Sequence, residues 1–193
     1  MAKVTGRLCQ SDHLHKYRLP GRGVYFVLGT TGARLLGVPR HRTQPLGPQT
    51  LPVELAALWY AVGGSRTRVR LTHAEFQERY TELLHIGRGD IYCGPAPHSD
   101  QQHIELVRVD RGTSADHVAR KCERFLDTRC NVPPFAALVR VGQLRLVVLT
   151  ATAEKCQALR AAFGRRDWPV GLQLHLVVLP MLLSVLGGQS DAA

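Results

Sequence analysis

The chain has 193 residues, 45% of them hydrophobic and 21% charged, which fits one ordinary globular domain, or one with a small appendage, and excludes wholesale disorder, collagen-like repetition and a long coiled coil. Twenty-five Lys and Arg against fifteen Asp and Glu leave a formal net charge of +10, which favours a polyanionic partner, nucleic acid before any other. Cys9, Cys93, Cys122, Cys130 and Cys156 form an odd set without a C-x-x-C pair, so neither a disulfide framework nor a zinc ribbon is expected.

The leading residues, MAKVTGRLCQSDHLHK, lack the apolar core of a signal peptide, and a reducing cytoplasm is the expected compartment. Residues 1–48 hold Lys3, Arg7, Lys16, Arg18, Arg22, Arg34, Arg40 and Arg42 against one acid, Asp12, a net +7 that leaves +3 for the other 145 residues. Charge gathered in one segment binds phosphates better than the same charge spread thinly. Most of it is arginine, whose planar fork suits phosphate oxygens and guanine edges. The segment GRGVYFVLGTTGARLLGVP predicts a glycine turn, a strand over Val24–Leu28, a cap at Thr30 or Thr31, and a short helix stopped by Pro39. Residues 40–50, rich in Pro and Gly, form the expected linker, giving a basic segment over 1–48 and a core over 49–187.

Within that core the spacing predicts a helix over 52–62 and a strand over 67–71. A capping box of Thr72 and Glu75 then opens a helix with Phe76, Tyr80, Leu83 and Leu84 on one face. Strands are expected at 90–93 and 103–109, then a helix capped by Thr113 or Ser114 and striped by Val118, Cys122, Phe125 and Leu126. Phe135–Val141 and Leu144–Thr150 read as two strands of a hairpin joined at Gly142 and Gln143, followed by a helix over AEKCQALRAAF and a buried closing strand, Leu172–Leu179. The apolar run that holds this strand, Leu172–Leu186, is interrupted by His175 and Pro180 and is shorter than the roughly 20 residues needed to cross a bilayer, so no membrane partner is expected. Residues 188–193 read as a disordered tail. The sum is α/β, with three helices on a mixed sheet of about six strands.

Phosphate-loop, dinucleotide, nucleophile-elbow and H-x-x-x-H zinc patterns are missing from the sequence. What remains is acidic. Asp90 opens one strand and Asp110 ends the next, and carboxylates placed on adjacent strands can share a divalent cation while a nearby lysine orients a water. GRGVYFVLGTTGARLLGV, RGDIYCGP, IELVRVDRGTS and VARKCERFLD together resemble the replication-relaxation family of plasmid and integrative-element proteins. The resemblance covers roughly residues 18–150. It implies a winged-helix segment coupled to a restriction-endonuclease-like core of the PD-(D/E)XK type.

Residue by residue, it implies that Asp90 matches the first acidic position and Asp110 the acid of a Glu-x-Asp-x-Gly-Thr stretch, whereas the Glu position is Arg108. A guanidinium there removes a ligand and sets a positive charge where the cation would sit. Lys121 matches a basic helix position, and Glu105 is a candidate substitute acid although strand alternation turns it away from Arg108. A salt bridge from Arg108 to Asp110, filling a vestigial catalytic site, is the expected outcome. Fewer than 20 residues precede the strand-helix unit, too few for a full helix-turn-helix, so either the recognition helix is absent and the wing packs onto a partner, or the arm and loop alone hold the DNA.

The expectation is a non-catalytic double-stranded DNA-binding accessory or regulatory protein of a mobile element, with Lys16, Arg18, Arg22, Arg34, Arg40 and Arg42 on the duplex. No cofactor or resident metal is expected. One alternative is a Mg²⁺- or Mn²⁺-dependent endonuclease or nickase using Asp90, Asp110 and Lys121. The other is a subunit that forms a homodimer, or meets other mobile-element proteins, through its C-terminal strand.

Overall fold

The computed structural model describes residues 2–19, 23–63, 68–83, 90–95 and 103–186. The chain divides into two compact units between Leu51 and Pro52. Arg22 and the expected tail lie outside the described residues, as does the side chain of Arg42.

The first unit contains α1 (Ala2–Gln10), β1 (Leu14–Arg18), β2 (Val24–Leu28), α2 (Thr30–Leu35) and a 3₁₀ turn at Arg40–Thr43. The leading residues, expected to be an arm, are therefore α1 and β1. In β1 the alternation of LHKYR is hard to see because its exposed positions are Lys16 and Arg18, not neutral polar residues. β1 and β2 pair antiparallel, with Lys16 opposite Phe26 and Arg18 opposite Val24, so these four share one face. Tyr17 and Tyr25 stack on the other, ring centroids 5.5 Å apart.

The expected threonine cap of α2 is replaced. Gly29 is the N-cap and offers no side chain, while Asp12 receives the Thr31 N–H on its carbonyl at 3.1 Å and on Oδ2 at 3.2 Å. The approach is so close that a Cβ on Gly29 would lie 2.2 Å from the Asp12 carbonyl oxygen. Backbone atoms cannot yield as a side chain can. Gly29→Ala should therefore destabilise the leading unit by about 1–3 kcal/mol, read as a lowered thermal midpoint of the full chain.

The division between the units falls within α3 (Thr50–Val62). After it come β3 (Arg68–Leu71), α4 (His73–Arg79), β4 (Ile91–Pro95), β5 (Ile104–Val109), α5 (Ala115–Cys130), α6 (Pro133–Arg140), β6 (Leu144–Thr150), α7 (Ala153–Gly164), β7 (Gln173–Val178) and α8 (Leu183–Leu186). One sheet runs in the order β3-β4-β5-β6-β7. The first three strands are antiparallel neighbours, and β5, β6 and β7 are parallel. The class is α/β with a mixed sheet, as the sequence predicts, but among the described residues this sheet has five strands instead of six and more helices cover it than three.

The missing strand is α6. Phe135, Leu138 and Val139 are strand formers by type, yet they are spaced for a helix, and Pro133 and Pro134 occupy its first turn, where a missing N–H costs nothing and φ is already set. The expected hairpin thereby becomes a helical crossover into a parallel strand. β7 is an edge strand and is partly exposed along its length, not buried. The Thr72–Glu75 capping box and the Ser114 cap form as predicted.

Alternation along β5 divides the interior. Leu106 joins Phe76, Leu126, Phe135 and Leu146 beneath α4 to α7, whereas Val107 joins Ala56, Tyr60, Val147 and Leu149 beneath α3. Glu105, weighed above as a substitute acid, belongs to the α3 face and is fully buried. Arg68 and Arg145 reach it at 3.2 Å each and the Tyr60 hydroxyl donates to it at 3.0 Å. It ties β3, β6 and α3 to the central strand. Glu105→Ala would take the shared carboxylate from two partly buried guanidiniums, leaving Arg68 with the Tyr60 carbonyl and Arg145 with Gln173, and should cost about 3–5 kcal/mol, measurable as a shifted urea midpoint of the intact chain.

Candidate functional site

Two groups of polar residues stand apart from the core: a basic set in the first unit and a cleft in the second. In the first unit Lys3 and Arg7 lie four residues apart on α1, and Lys16 and Arg18 share a face of β1. Arg34 sits in the last turn of α2, and Arg40 opens the 3₁₀ turn. All six are exposed, and among the described residues none is in an ion pair.

Asp12, the one acid of the segment, is already engaged. Its Oδ1 lies 2.7 Å from His15 Nε2 while its Oδ2 caps α2. The His15 contact above all, with the Thr31 amide, holds its carboxyl below the usual 3.8. The local positive charge is thus left facing solvent.

The second unit carries a cleft of about 580 Å³ at the end of β4 and β5, closed on one side by α5. Asp90, Arg108, Asp110 and Lys121 all line it. Register brings the first pair together: Ile91 opposes Val107, so Asp90 falls beside Arg108, and Arg108 Nη2 is 3.1 Å from Asp90 Oδ1. The expected Arg108–Asp110 bridge is therefore corrected. Arg108 turns to the neighbouring strand's acid, because residues two apart on one strand are farther from each other than cross-strand partners are.

Arg129, from the end of α5, donates to Asp90 Oδ2 at 2.9 Å. Both guanidiniums lie over the Phe125 ring, 4.0 Å and 5.0 Å from its centroid. Asp90 retains 8% side-chain exposure, and its negative charge, after burial itself, pushes the neighbouring Tyr92 hydroxyl well above its ordinary value.

Asp110 has a different set of partners. Its side chain is 3% exposed, accepting from the Gly112 N–H at 3.1 Å and the Thr150 hydroxyl at 3.4 Å, with Lys155 Nζ at 3.7 Å. Lys155 also donates to the Thr113 carbonyl. Gly112, at φ +93°, makes the turn that brings its N–H back to the carboxylate. The acid thus shapes the loop carrying Arg111 into the cleft.

On α5, His117, Lys121 and Arg124 line the cleft at spacings of four and three, one helical face. Burial pushes the Cys122 thiol up to about 11, so it stays protonated at neutral pH and is no nucleophile.

Arg129, Arg111 and Arg124 are not singled out by the sequence, and Phe125 reads there only as part of its helix's apolar stripe. The 117-121-124 spacing was visible in the string. The closing of Arg129 and Phe125 on Asp90 was not, since it depends on where the long helix crosses the sheet.

Among the described residues no group of three or more His, Cys, Asp or Glu side chains is placed to hold a metal ion, and no helix is long and apolar enough to cross a membrane. The donor set does not fit a divalent cation. Asp90 is shared by two guanidiniums and Asp110 is spent on its own loop, while Arg108 would stand against the ion. No protein-family model, no curated protein and no solved structure matches the chain.

Proposed function

We propose that this chain is a double-stranded DNA-binding accessory or regulatory protein of a mobile genetic element, holding the duplex backbone through its leading unit and carrying a restriction-endonuclease-like core that performs no cleavage. The observation that carries the reading is the state of the leading charges. Lys3, Arg7, Lys16, Arg18, Arg34 and Arg40 are exposed and free of ion pairs among the described residues, and Asp12 is occupied by His15 and the start of α2. Exposed guanidinium and ammonium groups on a small unit exchange counterions for phosphates at little desolvation cost. A hairpin presenting Lys16 and Arg18 on one face also supports wing-like contact with a groove or backbone.

The core reading rests on two acids on adjacent strands at one cleft, together with the resemblance in RGDIYCGP and IELVRVDRGTS. Loss of catalysis is supported by the cations that already hold both acids.

Duplex affinity should fall with salt on a log-log slope near −4, corresponding to about four to six phosphate contacts. Replacing Lys16, Arg18, Arg34 and Arg40 together by Ala should weaken binding to unrelated sequences alike and reduce that slope by about 1 per side chain removed. An unchanged slope in a fluorescence-anisotropy titration refutes the assignment.

Supercoiled plasmid incubated with the protein and Mn²⁺ should remain uncut. Cleavage that disappears in Asp90→Ala would establish the endonuclease reading instead.

A further inference from the structure

We infer that the cleft of the second unit binds the terminal phosphomonoester of a nucleotide, and does so without a metal ion. Five cationic side chains line it, Arg108, Arg111, Lys121, Arg124 and Arg129, against two carboxylates, Asp90 and Asp110. The surplus is three positive charges before His117 is counted. Such a surplus suits a dianion better than the single charge of a phosphodiester.

Arg111, Lys121 and Arg124 are exposed and, among the described residues, have no ion-pair partner. Arg108 and Arg129 are fixed differently. Each gives a terminal nitrogen to Asp90 and lies over Phe125, and a guanidinium has five N–H donors. Two rigid forks and three free cations make a preorganised site for a phosphate's three terminal oxygens. The guanidiniums of Arg108 and Arg129 stand beside Asp90 at the cleft, so the anion would be held directly by the side chains.

A volume of about 580 Å³ admits a mononucleotide and lies in the size range of small-molecule pockets. The ligand class is thus a nucleotide phosphate, either free or at the end of a DNA strand. The inference is independent of DNA capture by the leading unit, whose residues are elsewhere in the chain.

Isothermal titration of the full chain in EDTA tests it, with deoxythymidine 5′-monophosphate, deoxythymidine and inorganic phosphate as probes. The monophosphate should bind and the nucleoside should not. Lys121→Ala with Arg124→Ala, both on the exposed face of α5, should weaken binding about 10-fold. The quadruple substitution of Lys16, Arg18, Arg34 and Arg40 should leave nucleotide binding unchanged, separating this site from duplex binding.

Two duplexes that differ only in a 5′-phosphate or 5′-hydroxyl end then identify the source. A preference for the phosphorylated end, lost with Lys121 and Arg124, assigns a DNA terminus, and equal binding assigns the free nucleotide. The inference is overturned if the monophosphate fails to bind, if binding requires Mg²⁺ or Mn²⁺, or if the Lys121 and Arg124 substitutions leave affinity unchanged.

Discussion

A single carboxylate held between two guanidiniums organises the cleft of the second unit. Asp90 immediately precedes β4, Arg108 lies near the end of β5 and Arg129 near the end of α5, so three elements distant in sequence meet at one anion. Phe125 beneath both arginines supplies a flat, weakly negative surface that keeps the forks apart and oriented. Taking three charges partly out of water is favourable only when their geometry is good and the remaining donors are satisfied. Here the residual exposure of the arginines lets solvent or a ligand complete them. The contact pins the last turn of α5 to β4 and β5, while Val118, Ala119, Cys122 and Leu126 seat the rest of the helix on the sheet.

The two faces of β5 treat buried charge in opposite ways. Glu105 is sealed on the α3 side by Arg68, Arg145 and Tyr60, a closed network whose product is structural. Three residues further along the strand Arg108 lines the cleft, with Asp110 just past the strand's end. Alternation of side chains on a strand is enough to separate a rivet from a recognition surface three residues away. The leading unit follows a related logic with fewer parts. Its one acid is spent on a histidine and a helix start, and its cations are left outward.

The class of fold and several of its elements were legible because they depend on local pattern. The capping box at Thr72, the serine cap at Ser114, the stripe of Val118, Cys122 and Leu126, and the strand at β2 are each set by residues within one or two turns of each other. The opposite faces of Glu105 and Arg108 could likewise be read from parity alone. Helix α6 is hidden by residue type, which favours a strand, while the two prolines that start it mark the helix and make the connection a parallel crossover, not a hairpin. The partner of Arg108 was lost for another reason. Asp110 is near in sequence and Asp90 is near in space, and register between β4 and β5 is invisible to a string of letters. The unusual capping of α2 by Asp12 was hidden in the same way, since the acid lies 19 residues before the amide it accepts from.

Lys155 links these observations to the order in which the chain is made. It comes from α7, some 45 residues after Asp110, yet it sits beside that carboxylate and donates to the Thr113 carbonyl. A growing polypeptide on the ribosome would therefore have completed β4, β5 and α5 before the group that fastens their connecting loop had been synthesised. The tether from Lys155 to Asp110 and Thr113 can form only once α7 has emerged.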